Sequence, residues 1–235
     1  MSTNTSIKTV FTPRVILQLL IFIVLTPLLP LIITWNWGWW EAWAFALTFI
    51  LGFIISRLLV WRRNPDLIAE RGKFLQHDNP ESWDKTLAPL VGLGGGLIPI
   101  VAGLDARFGP SVSFDLWVRL LGLGLLLVGM WFGSYALLEN SYFSGMVRIQ
   151  KESGQKVIDT GPYGWVRHPG YAGALVSYLG APFLLESLWT LIPVGLLLVL
   201  LVVRTALEDR TLQEKLEGYS EYAQRVRYRL IPGVW

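Results

Sequence analysis

The sequence has no cysteine and only two histidines, and charged residues make up just 16% of its 235 positions. Each shortage excludes something. Without cysteine there are no disulfides, no thiolate metal ligands and no cysteine nucleophile. The histidines, His77 and His168, fall in different segments, and no acidic residue stands at ligand spacing from either. No metal-site pattern remains. A soluble domain carries about 25% charged residues, so this chain is short of the charge needed to cover a water-facing surface. Its net charge of +3 gives no reason to expect nucleic acid as a partner. Internal repeats, low-complexity tracts and linkers are missing as well.

What the chain does have is apolar length. Runs occur near residues 15–34, 39–60, 87–104, 116–138, 171–185 and 188–203. A helix rises about 1.5 Å per residue, so roughly 20 residues match a hydrocarbon core of about 30 Å. The first four runs meet that length. The last two are shorter and hold Pro182 and Pro193, which reads as a tight helical hairpin. The expected fold class is all-α: a polytopic integral membrane bundle of about six transmembrane helices, the last two a hairpin, with a cytoplasmic C-terminal helix or tail. The first run does not read as a cleaved signal peptide. It holds Pro27 and Pro30, and Trp35-Asn36-Trp37-Gly38-Trp39-Trp40 stands where a small-residue cleavage site would be. Those tryptophans suit a membrane interface. Gly94-Gly95-Gly96 in the third run lies at membrane depth without a following lysine, so it reads as a close-packing or bending point rather than a phosphate cradle.

Basic residues set the orientation. Lys8 and Arg14 precede the first run; Arg62, Arg63, Arg71, Lys73 and Lys85 lie between the second and third. Arg148, Lys151, Lys156 and Arg167 lie between the fourth and fifth, and Arg210, Lys215, Arg225, Arg227 and Arg229 follow the last. The alternate loops hold only Arg107. Six spans with both termini in the cytoplasm satisfy every loop, whereas five would put the basic tail outside. The chain then divides into residues 1–138, four spans with a cytoplasmic loop at 61–85, and residues 139–235, which carry the polar motifs.

The first of those motifs is Gly161-Pro162-Tyr163-Gly164-Trp165-Val166-Arg167-His168-Pro169-Gly170-Tyr171-Ala172-Gly173. Pro169 suits the first turn of a helix, where a missing N–H is harmless. The free N–H groups and partial positive charge of that helix start attract a carboxylate. His168 can be a catalytic base, a cofactor contact or simply a helix cap. The second motif is Arg204 with Glu208 and Asp209. Arg204 and Glu208 are four apart and share a helix face, which permits a plain surface ion pair. Arg204, however, follows the apolar Leu196–Val203 without a break, and a charge at membrane depth is a functional candidate because of its cost. The tail alternates aromatic and basic residues from Tyr219 and Tyr222 to Arg225, Arg227, Tyr228 and Arg229. It can lie on anionic headgroups or close over a bound cofactor.

Taken together, Gly161-Pro162-Tyr163, Arg167-His168-Pro169-Gly170-Tyr171, Arg204-x-x-x-Glu208-Asp209 and Tyr219-x-x-Tyr222 resemble the isoprenylcysteine carboxyl methyltransferase family, in a bacterial- or archaeal-type member. The related phospholipid N-methyltransferases are similar too. The resemblance covers roughly residues 135–235. It implies a membrane methyltransferase of the EC 2.1.1 class. S-adenosylmethionine would bind in a cytoplasmic pocket, and a lipid or lipidated acceptor would enter from the bilayer, in the inner membrane of the cell. It carries cofactor contacts onto Gln150, Gln155, Lys156, Val157, Ile158, Tyr163, His168, Pro169, Gly170, Tyr171 and Glu208. It carries the substrate-side arginine onto Arg204, so the implied catalytic set is Arg204, Glu208 and His168, with no metal. The family's usual Glu-Glu pair is Glu208-Asp209 here, which puts the role of Asp209 in question.

The chemistry agrees with those residue types. A carboxylate acceptor is already nucleophilic at pH 7 and needs orientation and dehydration rather than a base. An arginine fork suits a carboxylate. An amine acceptor would need deprotonation, by Glu208, Asp209 or His168. Membrane sterol reductases share a His-Pro-x-Tyr element and a similar tail, so NADPH-dependent reduction of a sterol or other lipid is the alternative. A non-enzymatic role leaves the clustered motifs without a purpose.

Overall fold

A computed structural model of the protein describes residues 13–72 and 79–235; Lys8, Lys73 and His77 lie outside them. Every regular element among the described residues is helical. The first apolar run forms α1 (Pro13–Leu20), a π-helical turn at Ile21–Leu25 and α2 (Thr26–Thr34). Pro27 and Pro30 withhold N–H donors from this stretch, just after the widened turn. α3 (Trp40–Arg63) stops at Asn64, whose Oδ1 accepts the Leu67 N–H at 3.3 Å. Pro65 then takes the first position of α4 (Pro65–Gly72). The loop expected at 61–85 therefore contains a short helix. α5 (Asp84–Phe108) and α6 (Leu116–Glu139) follow. Residues 140–168 contain only short 3-10 turns, at Lys151–Ser153 and Gly161–Gly164. α7 (Pro169–Leu184), α8 (Leu191–Lys215) and α9 (Tyr219–Arg225) complete the order.

Among the described residues, five helical stretches are long and apolar enough to cross a membrane: Leu17–Thr34, Trp40–Arg63, Asp84–Phe108, Leu116–Glu139 and Leu188–Lys215. α7, with 16 residues, spans about 24 Å and falls short of that length. It pairs with α8 as the expected hairpin. The sixth apolar run is only part of its helix, because α8 continues past Val203 through the polar residues to Lys215. Those polar groups stay helical because they are buried against other segments and find partners there.

α6 and α7 run antiparallel in backbone contact. A Cβ on Gly129 would come within 2.4 Å of the Gly173 carbonyl oxygen and the Ser177 nitrogen. A Cβ on Gly122 would come within 2.5 Å of the Leu184 nitrogen. Small residues allow this approach, which is how helices gain packing where water supplies no drive between them. Gly94 does the same for α5 on α8, with Leu197 filling the space a side chain would take. The core around Leu31, Phe45, Ile98, Leu126, Leu184 and Leu197 draws on six of the helices. Leu93, Val128, Ile192 and Val199 face outward, as lipid-facing positions do. One end of the bundle holds Arg119 paired with Glu41 and 3.8 Å from Glu186. The other end holds α4, the start of α5, the 140–168 segment and the polar end of α8.

Candidate active site

At that second end lies a pocket open to solvent, with about 810 Å³ of space when its mouth is counted. The last turns of α8 form one wall, contributing Arg204, Glu208, Leu212 and Leu216. The 140–168 segment forms the opposite wall, and the start of α7 closes the floor with Gly170 and Tyr171. Tyr219 and Tyr222 of α9 cover the rim. Gly218 makes the turn from α8 into α9 at a φ of +79°, a conformation that favours glycine.

Glu208 accepts a hydrogen bond from the Tyr171 hydroxyl at 2.5 Å through Oε2. Its Oε1 accepts none among the described residues, leaving a carboxylate oxygen for the pocket. Arg204 lies one turn earlier and does not pair with Glu208. Its Nε and Nη2 donate to the Asp84 carboxylate at 2.7 and 2.9 Å, and Nη2 also donates to the Gly145 carbonyl at 2.9 Å. Asp84 is 0% exposed and Arg204 7%, so this pair is stable only because its geometry is bidentate and the remaining lone pairs are used. Nη1 is the Arg204 nitrogen that makes no hydrogen bond among the described residues. The Arg204 Cζ also lies 5.3 Å from the Tyr171 ring centroid.

Asp209 is the hub of a second buried network. Arg167 grips it with Nε at 2.7 Å and Nη2 at 3.0 Å. Arg229 adds a bond at 2.9 Å, Gln213 at 2.9 Å and the Tyr219 hydroxyl at 3.1 Å. The His168 Nε2 stands 3.3 Å away. Arg167 also donates through Nη1 to the Val226 and Arg227 carbonyls at 2.9 and 3.0 Å, capping α9. The backbone N–H groups of Arg167 and His168 donate to the Tyr228 and Arg229 carbonyls, both at 2.9 Å. The basic aromatic tail is thus stitched onto the Arg167-His168 element. Burial, and next the Asp209 charge, hold the Tyr219 phenol well above its ordinary range, so it stays protonated as a donor. Burial does the same to Tyr163 and Tyr222.

Of the residues expected to contact a cofactor, Gln155, Lys156, Val157, Ile158 and Tyr163 line the pocket. So do His168, Gly170, Tyr171 and Glu208, and Arg204 lines it too. Gln150 and Pro169 stand behind the wall. The Gln150 amide is spent on the Tyr142 carbonyl at 2.8 Å, and its backbone N–H is held by Gln155 at 2.7 Å. Pro169 opens α7, and no acceptor among the described residues takes the next N–H, that of Gly170. The His168 backbone caps α7, its carbonyl accepting from Tyr171 and Ala172 at 3.1 Å, while its ring stacks on Tyr171. Asn140, Tyr142, Phe143, Leu212 and Leu216 also line the pocket and carried no sequence signal. Asp84 carried none either; a lone acid at a helix start gives no hint of its distant partner. Among the described residues no group of three or more His, Asp or Glu is placed to hold a metal ion.

A family model for phospholipid methyltransferases matches residues 117–218, from the start of α6 to the end of α8. Protein-S-isoprenylcysteine O-methyltransferase B of Arabidopsis thaliana is 27% identical over 127 residues, 51% of this chain and 62% of that protein. A delta(14)-sterol reductase of Mus musculus is 36% identical over a shorter stretch of 95 residues, 39% of this chain and 23% of that protein. The chain therefore spans less than two thirds of the length of these relatives. The solved structure of a eukaryotic intramembrane Ras methyltransferase, an isoprenylcysteine carboxyl methyltransferase, superposes with a TM-score of 0.53. That superposition covers 97% of this chain and 88% of the other at 19% identity, which shows a shared fold. With the motif residues gathered around one pocket inside the matched region, the chain is similar there to phospholipid and isoprenylcysteine methyltransferases and shares the fold of the solved one.

Proposed function

We propose that this protein transfers a methyl group from S-adenosylmethionine to a carboxylate on a lipid-soluble or lipidated acceptor. One observation carries the reading: a single pocket at the edge of a membrane bundle combines a free carboxylate oxygen, an open helix start and an apolar wall. The chemistry of this donor set fits the cofactor. Glu208 Oε1 suits its positive groups, the Gly170 N–H at the α7 start suits its carboxylate, and Val157, Ile158, Leu212 and Leu216 suit its base. When bound, S-adenosylmethionine supplies an electrophilic methyl on a sulfonium.

The chain's own residues do the rest. Tyr171 fixes the orientation of Glu208 through its hydroxyl. With cofactor and acceptor bound, the aromatic and apolar lining would keep water from an acceptor carboxylate that needs no general base, which raises its reactivity. Arg204 contributes charge and Nη1 at the membrane-facing end, its fork being held by Asp84. The basic residues at the site end support a cytoplasmic position for that end and for both termini. Acceptors of this kind reach the pocket from the surrounding lipid, and neither nucleic acid nor a metal takes part.

The sterol reductase likeness keeps NADPH-dependent reduction as the second reading. Calorimetric titration of the purified protein in detergent with S-adenosylmethionine and with NADPH separates the two. Binding of the methyl donor is expected. Glu208→Gln should weaken it about 10- to 150-fold, the loss of one charge-assisted contact, with melting temperature unchanged. Binding of NADPH alone would overturn the methyltransferase reading.

A further inference from the structure

With the Arg204 fork held by Asp84, only its Nη1 is left to meet an anionic acceptor, which leaves room for further cations. Two guanidinium groups stand at the same edge of the bundle. Arg71, near the end of α4, donates through Nη1 to the Phe143 carbonyl at 3.1 Å and lies over the Phe143 ring at 5.2 Å. Arg57 on α3 lies over the Phe53 ring at 4.6 Å and feels the Arg71 cation. Neither has a carboxylate partner among the described residues. Arg57 sits about 9 Å from the end of α3, among the lipid-facing Ile54, Ile55, Leu58 and Leu59. A charge there is costly. A lone arginine would relieve that cost by reaching outward to the headgroups, but this one is kept near a second cation. Burial, with the neighbouring Arg204 cation, pulls Arg71 down to about 10, still charged at neutral pH. An anion between the two would relieve both.

Phe143 links this pair to the pocket. Its ring lines the pocket, Arg71 lies on its face, and its tip touches Gly170, where a Cβ would come within 2.6 Å of the ring. It is the partition between the cation pair and the reaction chamber. We propose that Arg57 and Arg71 bind the anionic head of the membrane-embedded acceptor as it passes from the bilayer to the pocket beside Phe143. The acceptor-selecting surface then belongs to α3 and α4, outside the region matched by the family model. This rests on the methyltransferase reading of the pocket.

The test compares S-farnesyl-N-acetylcysteine with its primary carboxamide, probes that differ in the charge of the head. Binding of each to the whole chain in phosphatidylcholine nanodiscs is measured beside S-adenosylmethionine affinity on the same samples. The unaltered protein should prefer the acid by about 10- to 100-fold, the range for charge-assisted contacts. Arg57→Gln and Arg71→Gln should each remove most of that preference, leaving cofactor and carboxamide affinity intact. Arg71→Lys should keep part of it, retaining charge without the fork. If a glutamine variant loses cofactor binding as well, Arg57→Lys and Arg71→Lys decide, by partial against full preference. Full preference in the variants overturns the inference, as does equal binding of acid and carboxamide by the unaltered protein. Failure of that protein to bind S-adenosylmethionine overturns the methyltransferase reading instead. If phosphatidylglycerol in the nanodiscs abolishes the acid preference, the pair serves lipid headgroups and the acceptor assignment falls.

Discussion

Asp84 and Arg204 stand 120 residues apart and meet in a two-point ion pair, Nε to Oδ1 at 2.7 Å and Nη2 to Oδ2 at 2.9 Å. The same Asp84 carboxylate accepts the Val147 N–H at 2.6 Å. Three segments thus converge on one buried side chain: the start of α5, the polar end of α8 and the pocket wall between them.

Breaking a buried pair from one side strands a charge and costs about 3–5 kcal/mol. Asp84→Leu and Arg204→Met should each lose about that much stability in detergent. The double variant should lose less than the sum, with a coupling of about 0.5–3 kcal/mol. Chemical denaturation of all four proteins gives the cycle. Strictly additive losses would mean that the pair contributes no energy of its own.

Asp209 and Glu208 are neighbours with opposite assignments. Asp209→Asn leaves Arg167 and Arg229 without their shared carboxylate, so it should destabilise by about 3–5 kcal/mol and free the 219–235 segment for protease. Glu208→Gln should do neither. Limited proteolysis followed by mass spectrometry reads the difference, and equal tail protection in the two variants would refute the hub role.

Gly129→Ala forces a methyl into backbone atoms 2.4 Å away, whereas a Cβ on Gly124 meets nothing within 4 Å. The first should destabilise by about 1–3 kcal/mol. The second, on the same helix, should be neutral or gain up to about 1 kcal/mol from propensity. Melting temperatures of the pair, measured in one detergent, test how tight the α6–α7 contact is.

Tyr163, Tyr219 and Tyr222 all titrate above the ordinary 10.0 in the fold, each chiefly through burial. A raised folded-state value means stability that is complete below pH 10 and is lost as pH rises above it, because the unfolded chain sheds the protons first. Each such tyrosine contributes a slope of about 1.4 kcal/mol per pH unit. Melting temperature should therefore show no tyrosine-dependent fall from pH 7 to 9.5, then drop, and Tyr219→Phe should flatten the drop.

Hydropathy made the bundle legible, because membrane depth demands about 20 apolar residues whatever the packing. The pocket residues from Tyr163 to Tyr171 are legible as a motif, since a chain segment lining one wall keeps its members adjacent in sequence, whereas Gln155 to Ile158 come only from the family resemblance. Long-range charge pairing is not legible. Arg204 and Glu208 share a helix face and look like a surface pair, yet each is committed elsewhere, to Asp84 and to Tyr171. Asp209 looked doubtful beside the usual glutamate. Its shorter side chain instead suits a fully buried position where donors converge from four segments. The tail that looked suited to headgroups has its backbone consumed by Arg167 and His168. The glycines at 122 and 129, and at 173 and 180, do repeat at seven-residue spacing, a sign of helix contact that hydropathy alone overlooks.

The unbroken course of α8 fixes how the pocket can move. Arg204, Glu208 and Asp209 ride on one 25-residue helix, so their separations along it, about 6 Å for four residues, cannot change without breaking the rod. Entry and exit must come from the other wall. Residues 140–168 hold no regular element longer than four residues, Gly161–Gly164, and are tied to α4 through the Glu70 bond to Arg148 at 2.6 Å. The chamber is thus half anvil and half hinge: its chemistry is set on the stiff side and its opening on the pliant one.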